Sequence, residues 1–331
     1  PWRLNFPMSE LAPQPHRWHA LKMKLLLLLS VIGPGIIAGT ADNDAGGIAV
    51  YSVVGATFGY KMLWILIVVA FILAITQEMG ARLGLVTGKG LAALIRENFS
   101  LRVTIFIVLI TFVANWAIIV AEYAGISTVA DLYGVPRIIA VPAAALLIWW
   151  IVYKGSFRII QKVFLTSSLL FIAYIAAGFL AHPDWVQAGR SILIPSFEWQ
   201  PNFFYTAVAL IGTTVTPWGQ FFVQSYFVDK AVSVEHLKYA RFDVFLGAFW
   251  TAIVAFFIIV ATAGTLYKAG ILIQDAGQAA LALQPLAGAF AKHLFAWGLL
   301  NASMLGLAVI GMTSSYLVTE AFGWEGRVDL K

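Results

Sequence analysis

Two carboxylates, Asp42 and Asp44, lie close together in the run TADNDAGG, inside the first long apolar stretch of the chain. Within a lipid bilayer a carboxylate is expensive, so it is either satisfied by protein partners or functional. The same run combines poor helix formers with Gly46 and Gly47, so it predicts a break in a membrane helix. Such a break is tolerated only where it lines a cavity or is buried in protein. The alternative is a glycine kink whose carboxylates are buried and hydrogen-bonded.

A second break is predicted in the run IGTTVTPWGQFF, at residues 211–222. Pro217 lacks a backbone N–H and opens the preceding helical turn. Two interrupted helices in corresponding halves of a chain are the best sequence pointer to the binding site of a secondary transporter. Backbone carbonyls freed at both breaks, together with Asp44, would form an anionic pocket lined by oxygen, which suits a hard cation.

The composition indicates that these breaks lie in a membrane protein. Of the 331 residues, 61% are hydrophobic and only 11% are charged, whereas a soluble globular protein carries about 25% charged residues. Apolar runs long enough to cross a bilayer core of about 30 Å recur along the chain, so the sequence predicts an all-α, multi-pass membrane protein. The absence of cysteine excludes thiolate metal sites. We predict eight spans, the first and sixth of them interrupted: 25–58, 62–83, 103–129, 138–152, 157–180, 204–228, 242–266 and 294–318.

The positions of lysine and arginine predict the orientation of these spans. With the N-terminus inside, most of the 21 basic residues fall in inner segments, as the positive-inside rule requires. Because they are scattered over loops, the net charge of +5 does not indicate nucleic-acid binding. Segments 88–98 and 275–292 are predicted as short amphipathic helices at the membrane interface, and 181–203 as an outer connection.

Three further acidic residues lie in or against the predicted spans. Glu78 precedes Arg82 by one turn, and Asp243 follows Arg241 at the start of a span, so we interpret both carboxylates as structural. Glu122 lies within the third span, where a structural role and a role in transport are about equally supported. No HExxH, Gly-x-Ser-x-Gly or P-loop pattern is present, and we therefore predict that the chain is not an enzyme.

Several motifs resemble those of the Nramp family of divalent-metal transporters (natural resistance-associated macrophage proteins). GPGIIAGTADNDAGGIAVYSVVGATFGYKMLW is similar to the first span of that family, ARLGLVTGKGLA to the segment after the second span, and ARFDVFLG and VAFFIIVATAGTLY to the seventh. The resemblance implies a LeuT-type bundle of two inverted five-helix repeats, with helices 1 and 6 broken, in the cytoplasmic membrane of a prokaryote. Residues 1–23 would then be a cytoplasmic tail, 24–181 repeat one, and 204–320 the first part of repeat two. The rest of repeat two would be missing, so the chain is expected to be a fragment.

The resemblance also implies a metal site at the two breaks. The family pattern Asp-Pro-Gly-Asn becomes Asp44-Ala45-Gly46-Gly47 here, and Ala-x-x-Met-Pro-His becomes the run from Thr213 to Trp218. The expected metal-binding positions are Asp44, Gly47, Thr213 and Thr216, and the expected helix breaks are at Ala45, Gly46 and Pro217.

The departures from the family pattern have chemical consequences. A methionine thioether favours transition metals, so Thr216 in that position leaves an all-oxygen site, and Gly47 leaves more room than asparagine. Because Mg²⁺ prefers to keep several waters, the site favours Mg²⁺ or Mn²⁺ and is similar to that of the Nramp-related magnesium transporters. Asp42 is an addition to the family pattern. It would add charge to the pocket, cap the second half of helix 1, or bond a neighbouring hydroxyl.

The residues that couple metal to protons in the family are also changed. Glu122 matches one acid of the third span, but Ile119 stands where a second acid is expected, and Trp218 replaces the histidine. We therefore predict alternating-access transport of Mg²⁺ and/or Mn²⁺, weakly or not coupled to protons, with Gln220 near the ion path. The alternatives are a proton-coupled Mn²⁺/Fe²⁺ importer and a cation channel. The expected partners are metal ions and the lipid bilayer, no cofactor is expected, and the sequence does not define the oligomeric state.

Overall fold

The computed structural model describes residues 31–324, apart from the side chains of residues 281–289, and within that range it contains helices and connections but no strand. One turn of 3₁₀-helix (Val234–His236) precedes the α-helix Leu237–Thr262, and one π-helical turn (Ala263–Tyr267) follows it. The α-helices are α1 (Pro34–Ala41), α2 (Ala45–Phe58), α3 (Leu63–Thr87), α4 (Leu91–Asn98), α5 (Leu101–Leu132), α6 (Arg137–Lys154), α7 (Phe157–Leu170), α8 (Ile172–Leu180), α9 (Trp185–Leu193), α10 (Pro201–Thr214), α11 (Pro217–Asp229), α12 (Leu237–Thr262) and α13 (Ala276–Phe322).

The predicted spans agree with these helices. Six helical segments of the described chain are long and apolar enough to cross a membrane. The first predicted span is divided into α1 and α2 by residues 42–44, and the sixth into α10 and α11 by residues 215–216. The prediction that the first and sixth spans are interrupted is therefore confirmed.

Two segments differ from the sequence-based predictions. The separate interfacial helix at 275–292 is wrong, because α13 runs unbroken from Ala276 to Phe322 and includes the eighth span. The alanine-rich start of this segment explains the continuity, since alanine has the highest helix propensity. The outer connection 181–203 contains a helix that was not expected, α9. The predicted tail 1–23, and residues 25–30 of the first span, lie outside the described residues.

Helix α12 is the packing surface for both halves of the broken first span. Gly35 and Gly39 of α1 lie directly against Gly247 of α12, and a Cβ on Gly39 would overlap the carbonyl oxygen of Gly247. On α2, a Cβ at Gly55 would overlap the Thr262 hydroxyl and the carbonyl oxygen of a neighbouring α12 residue. Small residues permit such close backbone approach between membrane helices. The glycines of the first span therefore define where α1 and α2 lie.

The N-terminus of α1 lies inside the bundle, where its backbone N–H groups need protein partners. Asp243 of α12 provides them. Its Oδ2 accepts a hydrogen bond from Gly35 N (2.7 Å), and its Oδ1 accepts from Gly33 N (3.1 Å) and Ile36 N (3.3 Å). Pro34 has no N–H that needs a partner. The structural interpretation of Asp243 therefore agrees with the geometry, although its partner is α1.

The carbonyl groups that precede α1 are also bound by side chains. Lys230 Nζ donates to Val31 O (2.8 Å) and Ile32 O (2.7 Å), and Gln161 Nε2 donates to Ile32 O (2.9 Å). Gln161 lies on α7 and Lys230 directly follows α11. Together with Asp243 of α12, these side chains connect the start of α1 to three other helices.

Glu78 of α3 is held by two arginines. Its Oε1 lies 2.6 Å from Arg241 Nε of α12, and its Oε2 lies 3.4 Å from Arg82 Nη2, one turn later on α3. Glu78 therefore connects α3 to α12, which agrees with its structural interpretation.

The contacts of Asp243 generate a prediction about stability. Replacing Asp243 with alanine leaves three N–H groups without that acceptor, two of them buried and one partly buried. We expect Asp243→Ala to destabilise the protein by about 2 kcal/mol or more, since an unsatisfied buried polar group costs about 1–3 kcal/mol. Asp243→Asn keeps one acceptor oxygen and should lose less. The measurement is the midpoint of thermal unfolding in detergent, followed by size-exclusion chromatography.

Asp131→Ala is the matched control, because the carboxylate of Asp131 is half exposed and pairs with an exposed arginine. An exposed ion pair contributes about 0–1 kcal/mol. An unfolding midpoint of Asp243→Ala equal to that of Asp131→Ala would contradict the capping role.

Candidate functional site

The break between α1 and α2 places three polar side chains inside the bundle. Asp42, Asn43 and Asp44 are each at most 3% exposed. Asp44 has extended backbone and is the N-cap of α2, where its Oδ1 accepts a hydrogen bond from Gly47 N (2.6 Å). The positive end of the α2 dipole also favours a carboxylate at this position. Asp44 therefore begins α2 and holds a buried carboxylate at the break.

Asp42 ends α1 and reaches the second break. Its Oδ1 accepts a hydrogen bond from Thr216 Oγ1 (3.3 Å), whereas its Oδ2 has no hydrogen-bond partner among the described residues. Of the three roles expected for Asp42, bonding to a neighbouring hydroxyl is observed. Capping of α2 is not observed, because Asp44 occupies that position. The unpartnered Oδ2 leaves Asp42 with an acceptor oxygen at the break.

The second break lies between α10 and α11. Pro217 is the first residue of α11, a position that requires no backbone N–H, and Thr216 precedes it with extended backbone and a buried side chain. The Tyr51 hydroxyl of α2 lies 2.9 Å from Thr214 Oγ1, which itself donates to Leu210 O (3.0 Å). Tyr51 is therefore the donor in the first of these bonds, and it connects the two broken helices.

The remaining positions predicted as metal-binding differ in their surroundings. The side chain of Thr213 is only partly buried, so Thr214 rather than Thr213 faces the first broken helix. A Cβ at Gly47 would lie 3.0 Å from the carbonyl oxygen of Asp42 and 3.3 Å from Asp44 Oδ1. Glycine at this position therefore lets those two oxygens approach the first turn of α2. Gly46 lies near the same carboxylate, since its Cβ would be 3.4 Å from Asp44 Oδ1.

Glu122 of α5 is fully buried at the same break. Its Oε2 accepts a hydrogen bond from Ala45 N (3.3 Å), the first residue of α2, and its Oε1 is without a partner in the described part of the chain. A Cβ at Gly306 of α13 would lie 2.7 Å from the Glu122 carboxyl carbon. Glu122 therefore lies between α2 and α13 and satisfies one of the N–H groups at the start of α2.

Trp218 and Gln220 follow the second break on α11. Trp218 is fully buried against Phe222, with ring centroids 6.5 Å apart, and its indole N–H has no partner among the described residues. Gln220 Nε2 donates to Thr76 Oγ1 of α3 (3.2 Å). Gln220 thus connects α11 to α3 beside the break.

The two breaks together form a site dominated by oxygen. Within residues 31–324, no three His, Cys, Asp or Glu side chains are grouped so that they could hold a metal ion by themselves. Asp42, Asp44 and Glu122 bring three buried carboxyl groups to the breaks. Carboxylate, hydroxyl, amide and backbone oxygens suit hard divalent cations. This chemistry fits a cation that passes through the site.

Two buried residues at the breaks were absent from the sequence-based site. Neither Asn43 nor Gln77 is exposed, and neither side chain has a hydrogen-bond partner within the described residues. Asn43 lies between the two predicted carboxylates. Gln77 lies on α3, far from either break in sequence, and its only signal is an amide within an apolar membrane span. Only the folded arrangement shows that it faces the breaks.

The sequence pattern of a known family matches most of this chain. The family described as natural resistance-associated macrophage protein-like matches residues 35–331. The chain belongs to the Nramp family. The resemblance inferred from the motifs is therefore confirmed, as is the LeuT-type, all-α bundle with broken helices 1 and 6. The protein is a multi-pass integral membrane protein.

Curated relatives of the chain are named as metal transporters, which agrees with the prediction that it is not an enzyme. The divalent metal cation transporter MntH of Acidiphilium cryptum is 27% identical over 300 residues, which are 88% of this chain and 69% of the relative. The protein of the same name from Caldanaerobacter subterraneus is 26% identical over 324 residues, covering 95% of this chain and 76% of the relative. This chain thus spans about two thirds to three quarters of the length of these relatives.

Solved structures share the fold. The manganese transporter of Eremococcus coleocola, in complex with an aromatic bis-isothiourea substituted compound, superposes with a TM-score of 0.78. The two chains are 22% identical, and the match covers 96% of this chain and 70% of the other. At this identity the likeness establishes the architecture, and the chemistry of the breaks must be argued from the residues of this chain.

Proposed function

We propose that this Nramp-family protein transports divalent metal cations across a membrane by alternating access. The observation that carries the proposal is the meeting of two helix breaks around buried carboxylates. Asp42 contacts Thr216 across the breaks, and Tyr51 contacts Thr214. Discontinuous helices that join at such a point form the substrate sites of many secondary transporters. The names of the MntH relatives support the same class of substrate.

The metal ligands that we propose lie on both sides of the junction. Asp44 provides the central carboxylate, with Asp42 and the Thr216 hydroxyl beside it. Backbone oxygens near Gly47, after the first break, and at Thr213, in the last turn of α10 before the second break, complete the set. Because Thr216 stands in the position of the family's methionine, every ligand in this set is an oxygen.

A ligand set made only of oxygen atoms determines which metal ions we expect the site to prefer. Soft thioether ligands favour transition metals, whereas oxygen ligands suit Mg²⁺ and Mn²⁺. Mg²⁺ loses its waters reluctantly, and the unpartnered polar atoms around the breaks are groups to which coordinated waters can bond. We therefore propose Mg²⁺ and Mn²⁺ as substrates, as in the magnesium-transporting branch of the family.

Weak coupling to protons is the second part of the proposal. Trp218 cannot exchange a proton as histidine does, and Ile119 has no acidic group. Glu122 remains, but its Oε2 is engaged by the Ala45 N–H. Metal would then move down its electrochemical gradient, with the N-terminus on the inner side as the distribution of basic residues predicts.

A second candidate function is proton-coupled import of Mn²⁺. It is favoured by the structural likeness to a protein named as a manganese transporter and by the intramembrane carboxylate of Glu122. The two candidates differ in proton flux and in their preference among metals, and both properties can be measured.

The first test is metal uptake by proteoliposomes that contain the full-length protein. We expect saturable uptake of Mg²⁺ and Mn²⁺, and at least about a tenfold loss in Asp44→Ala, which corresponds to about 1.4 kcal/mol of lost interaction. Asp131→Ala, on the exposed end of α5, is the control and should transport normally. Uptake that is the same in Asp44→Ala and the parent protein would contradict the site.

The second test measures protons and metal in the same vesicles. With a pH-sensitive dye inside, we expect far fewer protons than metal ions to enter, because the histidine position is Trp218. Proton influx in fixed proportion to metal influx would favour the second candidate function.

The third test restores the thioether. Thr216→Met adds a soft ligand, so we expect the preference for Mn²⁺ over Mg²⁺ to rise by about tenfold, a change of about 1.4 kcal/mol in relative binding. The measurement is the ratio of transport efficiencies for the two metals. Thr206→Met, earlier on α10, is the control for adding a methionine to the same span. An unchanged ratio in Thr216→Met would show that this position does not determine selectivity.

A further inference from the structure

Gln77 is a buried amide without an internal role. Its side chain has no exposed surface, and neither its Oε1 nor its Nε2 has a hydrogen-bond partner among residues 31–324. A buried polar group without a partner costs about 1–3 kcal/mol. Within an apolar membrane helix, such a cost indicates that the amide bonds to something that the folded chain does not provide.

The surroundings of Gln77 show where its amide points. A Cβ placed on Gly219 would lie 3.8 Å from Gln77 Nε2, 3.6 Å from Asp42 Oδ1 and 3.6 Å from Thr216 Oγ1. These three polar atoms therefore surround a single point on the first turn of α11. Gly219 keeps that point free of a side chain. The unpartnered Asp42 Oδ2 belongs to the same cluster.

The polar atoms of Gln77, Asp42 and Thr216 can bind water. Asp42 Oδ2 accepts hydrogen bonds, and the Gln77 amide can turn by 180° to present either its oxygen or its N–H₂ group. Waters coordinated to a divalent cation are strong donors, and they need acceptors held at a distance from the metal itself. Carboxylate and amide oxygens that are not metal ligands meet that need.

We propose that Gln77, beside the proposed ligands Asp42 and Thr216, is an outer subsite that binds the coordinated waters of a hydrated divalent cation, Mg²⁺ above all. This inference rests on the proposed function and deepens it. Gln77 does not ligate the metal. It stabilises the hydrated form of Mg²⁺, which gives up its waters with difficulty, more than it stabilises Mn²⁺.

The test compares the two metals in variants of Gln77. In proteoliposomes, Gln77→Leu is expected to raise the KM for Mg²⁺ by about tenfold and the KM for Mn²⁺ by less than about threefold, since Mg²⁺ depends more on retained waters. Titration calorimetry of each metal with the protein in detergent should show the same difference in Kd. Gln77→Asn, which withdraws the amide by one methylene, is expected to change both constants in the same direction and by less.

Gln224→Leu is the matched control. Gln224 is also a fully buried glutamine, but its Nε2 donates to Lys89 O (2.9 Å) in the connection between α3 and α4, and only its Oε1 lacks a partner in the described chain. Its loss should therefore leave the ratio of the two KM values unchanged. An equal change for both metals in both Gln77 variants, or no change in either, would overturn the subsite.

The outcomes also separate this inference from the proposed function. Saturable, Asp44-dependent uptake with an unmoved Mg²⁺ to Mn²⁺ ratio in both Gln77 variants refutes the subsite and leaves the transport function standing. Uptake of Mn²⁺ without Mg²⁺ by the unaltered protein refutes the subsite in the same way. Absence of any metal uptake refutes both.

Discussion

The structure depends on one constraint, that backbone groups freed inside a membrane must find partners within the protein. Helix α1 begins within the bundle, the first span breaks there, and carboxylates bind several of the freed N–H groups. Asp243 accepts three N–H groups at the start of α1, and Glu122 accepts the N–H of Ala45 at the start of α2. Asp44 binds Gly47 N itself. These carboxylates make an interrupted helix possible at membrane depth.

The same constraint explains the central place of α12. It carries Asp243, it meets α1 at glycine contacts too close for any side chain, and its Arg241 reaches Glu78 on α3. Because these contacts fix α1 along its whole length, the residues that follow it, Asp42 to Asp44, emerge at a defined position opposite the second break. Packing far from the site therefore determines the geometry of the site.

The sequence predicted the breaks because their causes are local. Pro217 lacks an N–H, and the run around Asp44 combines poor helix formers, so each break is visible in a short window. The partners of those breaks are not local, since Asp243 and Glu122 lie 208 and 77 residues away from the N–H groups they bind. For the same reason Gln77 could not be assigned to the site. The error at residues 275–292 is of another kind, because the segment was interpreted as a separate amphipathic helix, whereas its alanine-rich sequence favours a helix that continues into the eighth span.

The start of α1 and the junction of the two breaks differ in how their polar groups are satisfied. Around α1, Asp243, Lys230 and Gln161 bind backbone groups. At the junction of the breaks, by contrast, Asp42 Oδ2, Asn43 and Gln77 lack partners in the described chain. Each such group raises the free energy of the protein without cargo, and a hydrated cation that bonds to it recovers that cost. Under the proposed function, the affinity for cargo and the stability of the closed junction would therefore rise together, which couples binding to conformational change.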